Sequence, residues 1–167
     1  MTAENTNDSP GDRLPDAAPP ERAPNPRRQN RIAAMQFLYA WDASRPEDLN
    51  ESVRRFFTGQ ERKREHYVFA EELVYGVIEH LGDADEAIRA YAQNWAFERI
   101  AKVDLAILRL AVYELLFRRD IPPVVTINEA IELAKTFSAE DSRRFVNGIL
   151  DRVKTRLNRP SREAVAD

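Results

Sequence analysis

From about residue 28 onward the apolar positions return every three or four residues, the spacing of helices that bury one face. Ile32, Met35, Leu38, Tyr39 and Trp41 fall close to one face of a first helix, and Pro46 marks the break after it. A short helix near residues 47–57 follows, closed by Gly59. Phe69, Leu73, Val74, Val77, Ile78 and Leu81 define a long third helix, which Gly82 is expected to stop. Asp83 with Glu86 has the spacing of a capping box, Asp standing in for Ser or Thr, and opens a helix with Ala87, Ile88 and Tyr91 inward; Trp95 is expected to pack at its end. Residues 100–117 are apolar on nearly every side, which marks a buried central helix. Ile121, Pro122 and Pro123 follow it, and Thr126 with Glu129 offers a second capping box before Ile127, Ala130, Ile131, Ala134 and Phe137. A last helix carries Phe145, Val146, Ile149, Leu150 and Val153 and frays toward Pro160. No strand alternation, hairpin signal or fixed-period repeat occurs, so the fold class is all-α with about seven helices.

Composition changes this picture mainly at the ends. Residues 1–26 hold six of the ten prolines and no aromatic residue, so they lack the apolar surface needed to offset ordering and read as a disordered tail. Residues 27–158 form the helical domain, and 159–167 read as a second disordered tail. The 43% hydrophobic content over 167 residues suits one domain, or two small lobes sharing a core. A net charge of −3 gives no global positive field, so any nucleic-acid binding must use a local patch. Without cysteine there are no disulfides, thiolate metal sites or cysteine nucleophiles. No apolar run reaches the roughly 18 residues of a membrane span, and the start has no apolar signal core, which points to a cytoplasmic protein with no membrane partner.

Enzymatic chemistry finds no foothold. His66 and His80, placed on one expected helix, stand fourteen residues apart, about 21 Å at ~1.5 Å rise per residue, and cannot share a metal within one chain. The five glycines are isolated and build no phosphate loop, and the carboxylates read as solvated helix faces. No catalytic role, cofactor or metal is expected.

Basic and aromatic residues near helix ends remain. Arg27, Arg28 and Arg31 open the first helix, where the helix dipole disfavours positive charge. Two readings are open for them: a polyanion partner, or a plain junction between polar tail and domain. Tyr39 offers a stacking face on the same helix, whereas Trp41 reads as core. In SAEDSRRFVNG, residues 138–148, either Ser138 or Ser142 is placed to cap the last helix, with Asp141 favourable at its start. Backbone N–H groups there, beside Arg143 and Arg144, suit a phosphate or a base edge. Gly148 inside that helix is expected to admit a close neighbouring helix.

INEAIELAKTFSAEDSRRFVNGILD, VDLAILRLAVYELLFRRDIP and RRQNRIAAMQFLYAWD together resemble the NusB family of bacterial transcription antitermination proteins, over about residues 27–156. The resemblance implies two small packed helical subdomains and a non-enzymatic role: binding the single-stranded boxA element of nascent ribosomal RNA together with the ribosomal protein NusE. Other Nus factors and RNA polymerase would complete that complex, which sustains elongation and supports ribosome assembly. Carried over by position, Arg27, Arg28, Arg31, Tyr39, Asp141, Ser142 and Arg144 match RNA-binding positions, and Tyr39, Asp104, Phe137 and Phe145 match the partner surface; both phenylalanines also suit the core. Gln29 and Asn30 interrupt the basic run usual in the family. A similar module fronts some ribosomal RNA cytosine methyltransferases, but this chain ends without a cofactor-binding domain and reads as a stand-alone factor. The alternative is a helical adaptor that binds protein without RNA.

Overall fold

The structure, a computed structural model, describes residues 25–166. The reading of the N-terminal tail falls, up to residue 24, outside the described residues. Seven α-helices follow in order: α1 (Pro26–Ser44), α2 (Leu49–Thr58), α3 (Val68–Glu79), α4 (Leu81–Tyr91), α5 (Lys102–Phe117), α6 (Pro123–Phe137) and α7 (Ser142–Thr155). Short 3-10 turns at Arg64–Tyr67 and Phe97–Arg99 lead into α3 and α5. No strand occurs among the described residues.

The chain enters α1 through Asn25, whose side chain accepts from the Arg27 N–H at 2.9 Å, with Pro26 supplying a preset first turn. It leaves α1 at Arg45, in the left-handed region at φ 41°, with its N–H on Trp41 O and its guanidinium over the Trp41 ring. Asp48 caps α2 through the Glu51 N–H. The uniformly apolar α5 is the axis: it packs against α1, α3, α4, α6 and α7, and so joins an N-terminal group, α1–α3, to a C-terminal group, α4–α7, around one core.

Several expected boundaries shift, and tertiary contacts explain each. The third helix stops at His80, not Gly82, which lies inside α4. The His80 ring stacks on Phe117 with centroids 3.8 Å apart and faces Tyr113 at 6.0 Å, so packing against α5 places the break. Asp83 and Glu86 therefore sit within α4 and cap nothing there. His66 and His80 do not share a helix, since one lies in the turn before α3 and the other in the break after it. The second capping box also fails: α6 begins at Pro123, and the Thr126 hydroxyl instead donates to Glu114 on α5.

Glycine matters at a position the pattern did not single out. A Cβ on Gly76 would lie 2.1 Å from the Tyr113 ring, so α3 and α5 approach at a point only glycine allows. Gly148 is the reverse of its expectation, because a Cβ there would meet nothing within 4 Å.

Three further ties cross the core. Asn30, 3% exposed, donates to Pro26 O and His66 O and accepts from the Ala70 N–H, thereby docking α1 to the start of α3. Arg109 on α5 reaches Asp42 on α1 at 2.9 Å and grips Asp85 on α4 through two hydrogen bonds. Burial pushes the Asp42 carboxyl up, but hydrogen bonds from Arg45 and Arg109 outweigh it and hold the group below the usual aspartate range. Beyond α7 the described residues form no regular element, yet the segment read as a C-terminal tail is anchored within 159–166. Arg159 donates to the carbonyls of Leu115 and Ile121 at 2.8 and 2.9 Å, and the Val165 N–H reaches Arg119 O. The Leu115 carbonyl, left over in the last turn of α5, is thus satisfied by a residue 44 positions away.

Candidate nucleic-acid interface

The first neighbourhood lies at the start of α1, where the three arginines have three different fates. Arg27 is exposed, its guanidinium 4.6 Å from the centre of the Phe69 ring, and forms no ion pair among the described residues. Arg28 is partly exposed and forks onto Glu129 of α6 through two 2.9 Å hydrogen bonds. Arg31 is 3% exposed and grips Glu114 through bonds of 2.7 and 3.1 Å, while Thr126 fills a further position on the same carboxylate. The expectation of three surface cations is therefore corrected. Arg31 faces inward because position 31 lies on the buried side of α1, and its charge is spent inside the protein.

Phe69 collects more than Arg27. Arg31 and Arg118 lie 5.3 and 5.4 Å from its ring centre, so one ring sits among three guanidiniums. Arg118 is held by Asp120 and by Glu72, and its hydrogen bond to Asp120 keeps that carboxyl below the usual range. Of the three, only Arg27 makes no ion pair among the described residues.

The second neighbourhood is the junction of α6 and α7. Neither serine caps α7. Ser138 and Ser142 both turn their hydroxyls to Asp104 on α5, Ser142 at 2.8 Å, with the two serine oxygens 2.9 Å apart. Asp104 is 5% exposed with both oxygens occupied, and Ser142 is 6% exposed. Asp104 and Ser142, matched by position to the partner and RNA surfaces, are thus mostly buried but still border the hollow beside Trp95 and Phe145, and the carboxylate offsets its desolvation cost by tying α5 to the α6–α7 turn. What this clamp presents outward is the remainder of the motif. Asp141, Arg143 and Arg144 are exposed around a concavity of about 330 Å³ that also takes in Glu140 and Asn147, and neither arginine has an ion-pair partner among the described residues. Phe137 is 36% exposed and Phe145 partly buried, so the core reading holds for only part of each ring.

α6 connects the two neighbourhoods: from Glu129, which holds Arg28, to Phe137 is eight residues, about 12 Å along a helix. Tyr39, 48% exposed, stands on α1 about 18 Å from Arg27 by the same rise. Trp95, expected to pack at a helix end, is instead 53% exposed with its ring 5.9 Å from Phe145. Together with Arg99, Ile100 and Asp141 these rings line a further hollow of about 360 Å³. A tryptophan in the polar stretch QNWAFER was the available signal for a surface ring.

Exposed arginines with no ion-pair partner among the described residues, and exposed rings carried on helices around the Asp104 clamp, define a helical binding module. Among the described residues no group of three or more His, Asp or Glu is placed to hold a metal, and no helix of them is long and apolar enough to cross a membrane. The NusB family model matches residues 28–155. A transcription antitermination protein NusB from Trichlorobacter lovleyi is 48% identical over 128 residues, covering 77% of this chain and 89% of the relative. Among solved structures, T. maritima NusB superposes with a TM-score of 0.71 at 39% identity, covering 79% of this chain and 92% of that one. A NusB chain from a structure of antitermination factors NusB and NusE with dsRNA does so at 0.68 and 26% identity, covering 78% and 96%. The chain belongs to the NusB family.

Proposed function

We propose that this protein is a cytoplasmic transcription antitermination factor that binds the boxA element of nascent ribosomal RNA jointly with NusE. In this role it sustains elongation in a complex with other Nus factors and RNA polymerase and supports ribosome assembly. The observation that carries this reading is the division of charge at its arginine clusters. Arg31 and Arg28 are matched to carboxylates, whereas Arg27, Arg143 and Arg144 are exposed and have no ion-pair partner among the described residues. These exposed guanidiniums supply phosphate contacts, and Phe145 beside Arg144 in α7, Phe137 at the end of α6 and Tyr39 further along α1 supply stacking faces, the two elements of single-strand RNA recognition. The family's solved complex with NusE and RNA supports the same choice of partners.

The net charge of −3 makes binding by the protein alone weak and binding with NusE stronger. Titration of a boxA-like RNA with and without NusE, across a salt series, tests this. With three phosphates neutralised, log affinity should fall with log salt at a slope of about −2, from ~0.7 per phosphate on a single strand. Arg144→Ala should weaken binding with its urea midpoint unchanged within about 0.5 kcal/mol. Equal affinity for a scrambled RNA in the presence of NusE would overturn the boxA assignment. Absence of RNA binding in both conditions would leave the protein-only adaptor.

A further inference from the structure

The sequence QERKRE, residues 60–65, links α2 to the turn before α3 and plays no part in the surface described above. Its basic residues are not equivalent. Arg64 is neutralised by Glu71 through hydrogen bonds of 2.6 and 2.9 Å, but Arg62 and Lys63 are exposed and make no ion pair or side-chain hydrogen bond among the described residues. Arg62 stands on the wall of a groove of about 240 Å³ between this loop and α1, lined also by Gln29, Ile32, Gln36, Gln60 and Tyr67.

The groove holds the right polar groups for a nucleobase. Gln36 is exposed and unpartnered among the described residues. Gln29 engages His66 through its carbonyl oxygen at 3.0 Å, which leaves its NH₂ available. Gln60 uses its NH₂ on Phe56 O at 3.3 Å, which leaves its oxygen available. Side-chain amides offer donors and acceptors together, as base edges require. Gln29, Gln36 and Tyr39 follow one another at spacings of seven and three, so they share one face of α1, with the half-exposed Tyr39 ring at its far end. Glu61 also borders the groove. Its carboxylate repels phosphate and accepts from base amino groups, so the backbone would run on the Arg62–Lys63 side with bases toward the amides.

We infer that this groove is a second RNA subsite, holding single-stranded nucleotides that flank the segment bound at Arg27 and the α6–α7 junction, with phosphates on Arg62 and Lys63 and a base edge on the amides of Gln29, Gln36 and Gln60. The inference rests on the RNA-binding reading above and extends it to Gln29, Gln36, Gln60, Arg62 and Lys63, to which the family resemblance assigns no role.

The full chain with NusE is titrated against a boxA-length RNA and against the same RNA extended by several nucleotides at either end. The parent should bind the extended RNA more tightly. The double variant Arg62→Glu/Lys63→Glu should lose that gain while binding the short RNA like the parent, and its salt slope on the extended RNA should be shallower by about 1.4, from two phosphates at ~0.7 each. Arg62→Lys/Lys63→Arg should restore both. Parent-like affinity of the double variant for the extended RNA, or an equal loss on both RNAs, overturns the subsite while leaving the boxA reading intact. Failure of the parent to bind either RNA removes both. An unchanged urea midpoint shows that the double variant is folded.

Discussion

Arg31 and Arg27 are four residues apart on one helix, and their roles diverge because of what stands opposite each. Arg31 meets Glu114, 83 positions away in sequence, with side-chain exposures of 4% and 1%. Such a pair adds little net stability over apolar residues of similar volume, because two charges have left water. Breaking it is another matter, since Arg31→Met strands a carboxylate that only Thr126 still satisfies. That variant should lose about 3–5 kcal/mol of unfolding free energy by urea titration, the usual cost of removing one partner from a buried pair. Arg27→Ala should leave the same titration almost unmoved. A similar loss in both would mean that the difference in burial has no energetic consequence.

At the scale of the element, two glycines sit in helices for opposite reasons. Gly76 lets α3 lie against Tyr113 of α5, where a Cβ at 2.1 Å from an aromatic ring has no room and the ring, held against His80 and Phe117, has nowhere to go. Gly148 stands in open space within α7 at a helical φ, where glycine only adds conformational freedom to the unfolded chain. Gly76→Ala should therefore destabilise the protein by about 1–3 kcal/mol through overpacking. Gly148→Ala should stabilise it by about 0.5–1 kcal/mol. Thermal midpoints of the two variants, moving in opposite directions, check both statements. The spacing of apolar residues identified both helices correctly but not which glycine was in contact, because an amphipathic period reports the buried face of a helix and not how near its neighbour comes.

Across the whole molecule, ion pairs join elements that hydrophobic packing alone would leave free to slide. Arg109 ties α5 to α1 and α4 through Asp42 and Asp85, and Arg118 holds Asp120 at the end of α5. The Asp42 and Asp120 carboxyls both titrate below their ordinary value in the folded protein. A group with a depressed folded pKa contributes stability that is full above its unfolded pKa, about 3.9 for aspartate, and is lost as pH falls through the folded value. Urea midpoints should accordingly be flat near neutrality and fall once the pH drops below about 4. Asp42→Asn should lower the midpoint at pH 7, and its deficit should shrink at the acid end, where the parent carboxylate is protonated as well. A deficit independent of pH would assign Asp42 a packing role without a charge contribution.

Much of this protein is determined by local sequence alone. The all-helical class, the number of helices, the buried α5 and the resemblance carried by INEAIELAK and FVNG all follow from short-range spacing, because a helix closes its hydrogen bonds within itself and its apolar stripe must face a core whatever lies there. Arg27 and Arg144 were legible as surface groups for the same reason, each standing off that stripe, whereas Tyr39 falls close to the apolar face by spacing and only the structure exposes it. The tertiary structure decided the rest. The break at His80 depends on Phe117, the burial of Arg31 on Glu114, the withdrawal of Ser142 on Asp104, and the room at Gly148 on the absence of a neighbour. In each case a polar or conformational preference has several local outlets of similar free energy. The partner that selects among them is brought up from another helix, dozens of residues away, only when the core closes.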